Sequence, residues 1–464
     1  MDSAMKSHFS FLLLLLLTGT ACAEYTLNNI PTDFVLSYEA AQRGDTQGDL
    51  GLLGTSMNFD VYKGFYIGPS IYSAIQSDLG GLFVIGANTG YSHPLYDKLW
   101  GDIGYFAGGG GAHNDVNPDF SGFMSRSHVG IQYHFTYVEL GLQYVYLNYP
   151  GYGIHDYHLA FTFSVPGHIL MGDPAYRGTS ATSLDGIFSN QGINFYRIFL
   201  SMFQESYYLH NAKDENGDDL NDTMQLAGAK GGVFLTPSIY LGITTSGAYD
   251  SSKSGYMDFF TLLGYQHHVS PKLFYTVEGA IGSGGGGNTD TGSGLMYKPS
   301  IGLGYSLTQA LALILESGYV IAPSGEFQGA VTSLNLNYQF YNASPESFVS
   351  NMGDGHYTFS GWKMSAQTET YHDPQRFSES STVEDIDMAV IEISHEINDT
   401  WLVKGQAAGA YAGNAGSYAT GLIGAGIQSP LWHNIRLLSN FLLERQAAAI
   451  LMLVVAQYIS LKQA

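Results

Sequence analysis

The sequence predicts an all-β chain built as an antiparallel up-and-down transmembrane β-barrel. Three observations carry that prediction. The first is alternation. In residues 156–165 Tyr157, Leu159, Phe161, Phe163 and Val165 fall on one face of a strand, and His158, Ala160, Thr162 and Ser164 on the other. In residues 333–340 Leu334, Leu336, Tyr338 and Phe340 oppose Ser333, Asn335, Asn337 and Gln339. Period two is the mark of a two-faced strand. The second is composition: 58 Gly, 34 Tyr and 26 Phe with only 12% charged residues, and no apolar run after the N-terminal segment that approaches a membrane helix. A secreted soluble all-β protein would also alternate. An exported, aromatic, charge-poor chain without helical spans favours the membrane barrel. The third is internal repetition with connections of alternating length.

The chain opens on a secretory signal, residues 1–23. Lys6 supplies the positive charge, Phe9 to Leu17 the short apolar run with its six leucines, and Ala21-Cys22-Ala23 the small-residue cleavage site. The run is too short to span a membrane. A lipoprotein reading would acylate Cys22, but Gly19 stands where an aliphatic residue is expected. Cys22 is the single cysteine, so cleavage after Ala23 leaves no thiol, disulfide or Cys-based metal site.

Repeat one, residues 24–166, offers eight strand candidates near 32–41, 49–60, 64–75, 82–92, 98–108, 124–134, 136–147 and 156–165. A polar joint follows at 167–194. Repeat two, residues 195–341, offers eight more near 196–208, 224–234, 237–248, 257–267, 272–282, 297–306, 310–321 and 328–340. Most have the length of a tilted strand crossing a bilayer. The matched segments are Leu82–Lys98, Phe259–Lys272 and Tyr418–Arg436, each an apolar strand, a Ser/His-Pro turn and a cation. After a second joint at 342–355, repeat three, residues 356–464, is incomplete, with about six strands. There Ala447-Ala448-Ala449-Ile450 replaces the Gly run, and Tyr458-Ile-Ser-Leu-Lys-Gln-Ala echoes Tyr305-Ser-Leu-Thr-Gln-Ala. A frameshift near 445 and simple divergence both account for that ending. Links near Thr236-Pro237, Val269-Ser270-Pro271 and Thr308-Gln309 are short, and those at 209–223, 249–256, 283–296 and 322–327 are longer. That is the layout of an outer-membrane barrel with both ends in the periplasm.

The eight-strand unit, its short turns and the aromatic-ended last strands at 156–165 and 333–340 resemble the OmpA/OmpX/opacity-type outer-membrane barrels. The resemblance implies an integral barrel inserted by the barrel-assembly machinery, with the terminal alternation as its recognition signal. It carries over no catalytic residues. Ser460-Leu-Lys-Gln-Ala464 lacks the signal. Two arrangements stay open: separate eight-stranded barrels, which the long joints favour, or one large barrel of about 22 strands. An eight-stranded barrel is filled by its own side chains, whereas a much larger one encloses a lumen.

A net charge of −22 disfavours nucleic acid as a partner. It also disfavours clamping of anionic headgroups unless divalent cations bridge. The ligand-like segment is Asp214–Asp222, with Asp214, Asn216, Asp218 and Asp222 at positions one, three, five and nine of a calcium-type loop. Its Gly217 is displaced and Gln225 stands where Glu belongs, so a solvated acidic loop is the competing reading. The runs Gly108–Gly111 and Gly284–Gly287, followed by His113-Asn114-Asp115 and Asn288-Thr289-Asp290, lack the following helix of a phosphate loop and read as extracellular loops. Ser127-His128 and His155-Asp156-Tyr157-His158 have the residue types of a lipid-modifying enzyme. Glu278 and Glu316 lie within strands and should face the interior.

The expectation is an integral protein of the cell outer membrane of a Gram-negative bacterium, in contact with lipid and lipopolysaccharide. No catalysis and no cofactor are evident, and its role is structural or surface-exposed, toward some extracellular ligand. The alternative is a porin for small solutes, and the third reading is an outer-membrane lipid-modifying enzyme.

Overall fold

The computed structural model describes residues 28–43, 48–77, 80–112, 122–171, 180–181, 193–195, 197–251, 255–308, 310–341, 357–358, 361–372, 385–396, 400–413, 418–428, 435–443 and 450–457. The signal segment, most of both joints, His113–Asp115, Ala447–Ala449 and the segment after 457 lie outside them.

The first barrel runs β1 (Asn28–Gln42), β2 (Asp49–Tyr62), β3 (Phe65–Gln76), β4 (Phe83–Tyr96), β5 (Leu99–Gly111), β6 (Phe123–His134), β7 (Glu139–Tyr149) and β8 (Ile154–Met171). Neighbours in sequence are neighbours in the sheet, all antiparallel. β8 returns to β1 with register from Asn28↔Met171 to Glu39↔Ala160, which closes the barrel. β9 (Ser180–Ala181) and β10 (Ile193–Asn194) follow in the joint; β10 lies parallel to the end of β8.

The second barrel runs β11 (Arg197–Leu209), β12 (Thr223–Phe234), β13 (Ile239–Asp250), β14 (Met257–His268), β15 (Leu273–Gly285), a sixth stave in two pieces, β16 (Leu295–Tyr297) and β17 (Ser300–Ser306), then β18 (Leu311–Ile321) and β19 (Gln328–Tyr341). It closes between β11 and β19, from Arg197↔Tyr341 to Leu209↔Gly329. These two closures exclude the single large barrel, because each seals one set of eight staves before the chain moves on. β20 (Tyr357–Thr358) pairs with β9. β21 (Gly361–Tyr371), β22 (Ile386–Glu396), β23 (Trp401–Ala412), β24 (Ala419–Gln428), β25 (Ile435–Leu443) and β26 (Ile450–Gln457) form a six-stranded antiparallel sheet, and among the described residues no pairing joins its first strand to its last.

Alternation sorts the side chains. On β8 Tyr157, Leu159, Phe161 and Phe163 face outward and stay exposed, Phe161 by 63%. Ala160, Thr162 and Ser164 face inward and are buried. On β19 Leu334 and Leu336 are exposed while Ser333, Asn335 and Asn337 are buried. Tyr144, Leu142, Ile131 and Val129 continue the apolar band around the first barrel; Ile301, Leu303, Leu313 and Leu315 continue it around the second. Apolar surface this continuous is not tolerated in water. Around a closed barrel whose backbone is fully paired, it matches hydrocarbon. The fold is therefore the transmembrane type of antiparallel up-and-down barrel.

Turns set the two ends apart. β2 and β3 join through Lys63 and Gly64, both at positive φ (47° and 90°), the two-residue hairpin geometry that matches strand twist. Asp60 holds the turn by accepting from the Gly64 N–H at 3.0 Å. β4 and β5 meet at Asp97-Lys98, with Asp97 at φ 45°. The Gly runs correct an expectation. Gly108–Gly111 is the paired end of β5, opposite Phe83–Gly86, and Gly284-Gly285 is the paired end of β15, whereas Gly286-Gly287 lie in the loop beyond it as expected. Alternation is blind there, because glycine has no side chain to assign to a face.

Candidate functional site

The barrel interiors and the caps at the long-loop end hold the polar side chains. In the first barrel Arg126 on β6 spans the lumen. Its Nε donates to Glu39 Oε2 on β1 at 2.8 Å, and a terminal nitrogen donates to Gln143 Oε1 on β7 at 2.9 Å. The other terminal nitrogen lies 3.0 Å from His128 Nδ1. Arg only donates, so Nδ1 accepts and the His128 proton sits on Nε2. That Nε2–H donates to Asp102 Oδ2 at 2.6 Å, and Gln143 Nε2 donates to the same oxygen at 3.2 Å. His158 joins from β8, between Glu39 at 3.5 Å and Asp156 at 3.0 Å. Buried charges persist only when paired and hydrogen-bonded; each carboxylate here is paired through one oxygen, while Glu39 Oε1 and Asp102 Oδ1 accept no hydrogen bond among the described residues.

Toward the long-loop end the same lumen turns apolar. Leu50, Leu52, Tyr72, Phe106, Met124 and Leu147 belong to one buried cluster. Tyr149 donates to the Gly110 carbonyl at 2.6 Å, and the Ala112 N–H donates to Tyr152 Oη at 2.6 Å, so both rings are fixed across the mouth.

The second barrel repeats the plan with different residues. Lys230 on β12 reaches across to Glu278 on β15 (2.7 Å) and Glu316 on β18 (3.0 Å). Tyr240 donates to Glu278 at 2.6 Å. The expectation that Glu278 and Glu316 face inward holds. Lys298, between β16 and β17, bonds Glu205 at 3.0 Å and lies over the Phe260 ring at 4.7 Å. Tyr207 and Ser246 donate to Asp258 at 2.7 and 2.6 Å. The cavity among Lys230, Glu278, Glu316, Lys298 and Glu205 measures about 10 Å³, room for about one water.

Its long loops fold into a cap. The Glu215 N–H donates to the Asn288 carbonyl, and the Glu326 N–H to Asp290. Leu220, Ala212, Met296, Ala322 and Phe327 join the core cluster beneath. Asp214 is a hinge of this cap. Its Oδ1 accepts from the backbone N–H groups of Asn216 (2.9 Å) and Asp218 (3.0 Å), and its Oδ2 accepts from Asn288 at 3.2 Å. Asp222 Oδ1 accepts from the Thr223 N–H. Asp218 is exposed, whereas Asp214 is buried. Among the described residues no group of three or more His, Cys, Asp or Glu is placed to hold a metal ion.

Ser127 and His128 are adjacent on β6 and so point to opposite faces. His128 enters the lumen and Ser127 faces out; their proximity in sequence is not proximity of side chains. Asp156 and His158, two apart, share a face and touch. Arg126, Glu39, Asp102, Lys230 and Lys298 escaped the sequence reading. The signal was present for the strand residues: each is a charge at an inward position of an alternating strand.

No family model matches the chain, and no curated protein does. Among solved structures it is similar to Neisserial surface protein A at 12% identity, covering 32% of this chain and 97% of that one, with a TM-score of 0.23. A structure from the de novo design of transmembrane β-barrels gives 18% identity over 31% of this chain and 95% of that one (TM-score 0.21). OccK1 (OpdK) of Pseudomonas aeruginosa gives 11% over 89% and 94% (TM-score 0.21). Likeness at that level assigns no family or activity. The class, a transmembrane β-barrel protein, rests on the strand closures and the apolar outer band.

Proposed function

We propose that the chain is an integral outer-membrane protein with a structural or surface-exposed role, its acidic and Gly-rich caps turned outward as a contact surface. The observation that carries this reading is the filled lumen. In the second barrel Lys230 is tied to carboxylates from two other sides of the barrel, with an apolar plug and a folded cap above. In the first barrel Arg126 and the Tyr149–Tyr152 pair do the same. Small barrels of eight strands are expected to fill in this way. Export by residues 1–23 and insertion by the barrel-assembly machinery belong to the same proposal, as does the kinship with OmpA/OmpX/opacity-type barrels.

The test is conductance of the purified full chain in planar bilayers. The expected record has no steady steps. Steady nanosiemens-scale steps overturn the filled-barrel role in favour of a porin. Recovery of the protein in the soluble periplasm instead of outer membranes overturns the membrane location itself.

A further inference from the structure

Outward positions are of two kinds. Many that meet only the surroundings are large: Tyr144, Leu159, Phe161, Leu303, Leu315 and Leu334 are all exposed. Where one unit of the chain meets another, small or hydroxylated outward positions lie among large ones that are also covered, Phe83, Ile85 and Phe259, each less than 9% exposed. Thr55, outward on β2, is only 5% exposed, because Thr261, outward on β14, covers it; the two hydroxyls are 2.8 Å apart. Ser73 on β3 and Ser283 on β15 are outward and fully buried. A Cβ placed on Gly81 would stand 2.8 Å from the Gly285 Cα, and one on Gly285 equally close to Gly81. Ser293 donates to the Ile75 carbonyl at 3.1 Å. Further round the first barrel, on the neighbouring staves, a Cβ on Gly109 of β5 would meet the Gly409 carbonyl of β23 at 2.6 Å. Tyr338 of the second barrel and His395 of the six-stranded sheet bring their rings to 5.4 Å.

In a bilayer no hydrophobic force pulls two apolar walls together. Association comes from close backbone approach over small residues and from hydrogen bonds between hydroxyls. Both are present here. We propose that these outer walls are lateral association surfaces, and that the partner each one fits is the small-residue wall of the neighbouring unit in the same chain. The two barrels and the six-stranded sheet then form one packed cluster in the membrane plane, not beads on a loose tether. This rests on the membrane reading above only for the environment.

The experiment uses the full chain with a protease site placed between residues 172 and 192. After cleavage in mild detergent the halves should co-migrate on a native gel. Gly285→Leu combined with Gly409→Leu, which blocks both seams of the first barrel, should weaken or abolish co-migration, while Gly279→Leu should not. Gly279 is outward on the same strand with nothing within 4 Å of its would-be Cβ. Heat-modifiable mobility of both fragments shows that each barrel is folded. As a second measurement, Thr55→Cys with Thr261→Cys should oxidise to a cross-link that survives cleavage and boiling, and Thr55→Cys with Gly279→Cys should not. Nicked wild-type halves that part, or a folded Thr55/Thr261 cysteine pair that does not cross-link, overturn the proposal. The cross-link reads the seam in whichever compartment the protein is found, so failure of the membrane location is told apart.

Discussion

Replacing Lys230 with methionine should unfold the second barrel selectively. The ammonium lies 2.7 Å from Glu278 and 3.0 Å from Glu316, and all three residues are less than 9% exposed. Its loss leaves two carboxylates facing each other in a cavity with room for little water. Breaking a buried pair from one side costs about 3–5 kcal/mol, because the remaining charge is uncompensated. With a urea slope of roughly 1–3 kcal/mol per molar, the midpoint should fall by about 1 M or more. The assay is a urea titration in detergent followed on unheated gels, with the joint cleaved afterward so that each barrel is scored by its own band. The first barrel is the internal control and should not move. Lys230→Met combined with Glu278→Gln and Glu316→Gln should recover most of the loss, since a neutral set can hydrogen-bond without the cation. A Lys230→Met midpoint equal to wild type would refute the claim that the ion triad holds the lumen together.

Three further outcomes follow from the same geometry. Arg126→Met should destabilise the first barrel by about 3–5 kcal/mol, with partial recovery in the Arg126→Met/Glu39→Gln pair; the same titration reads both. Phe161→Arg, outward and mid-strand on β8, should cost roughly 2–4 kcal/mol in lipid vesicles and visibly less in solution-like detergent rims. Asp214→Ala removes the acceptor for the N–H groups of Asn216 and Asp218; both residues are exposed, so water can replace it and the loss is about 0.5–1.5 kcal/mol per bond, and proteolysis between residues 211 and 222 should speed up. A chelator should leave the wild-type cutting rate unchanged, because both Asp214 oxygens are already engaged; a chelator-dependent rate would instead support a calcium loop.

The strands were legible because each carries its own alternation. The candidate at 124–134 became Phe123–His134, and that at 257–267 became Met257–His268. What alternation reports is a face, never a partner. It places Lys230, Glu278 and Glu316 inside. It cannot say that a residue on β12 meets residues on β15 and β18, which depends on how the staves close. Closure itself was likewise open until the β1–β8 and β11–β19 registers fixed it. The Ser127-His128 pair was a different failure: the parity rule that identified β6 already separated the two side chains. Gly109 and Gly409 were invisible because their meaning lies in a close approach between units 300 residues apart in the chain.

The interior charges also explain how these barrels hold register. The outer band is chemically uniform: Leu159 displaced to the position of Phe161 would still meet lipid. A slip of one residue, however, turns every inward side chain outward. For β12 that would carry Lys230 from Glu278 and Glu316 into hydrocarbon, and for β6 it would do the same to Arg126. A cation on the lipid face costs roughly 2–4 kcal/mol near the midplane, and it would leave its carboxylates unpaired as well. A slip of two keeps the faces but moves Lys230 by about 7 Å along the strand, beyond reach of both partners. The apolar face therefore says that a strand belongs in the membrane, and the ionic set inside says where along its neighbours it must stop. Barrels stripped of these charges should keep their outer band yet lose a single register, and hydrogen exchange along β12 in the Lys230→Met/Glu278→Gln/Glu316→Gln protein would show that loss as protection spread unevenly over alternate pairings, even where the urea midpoint has recovered.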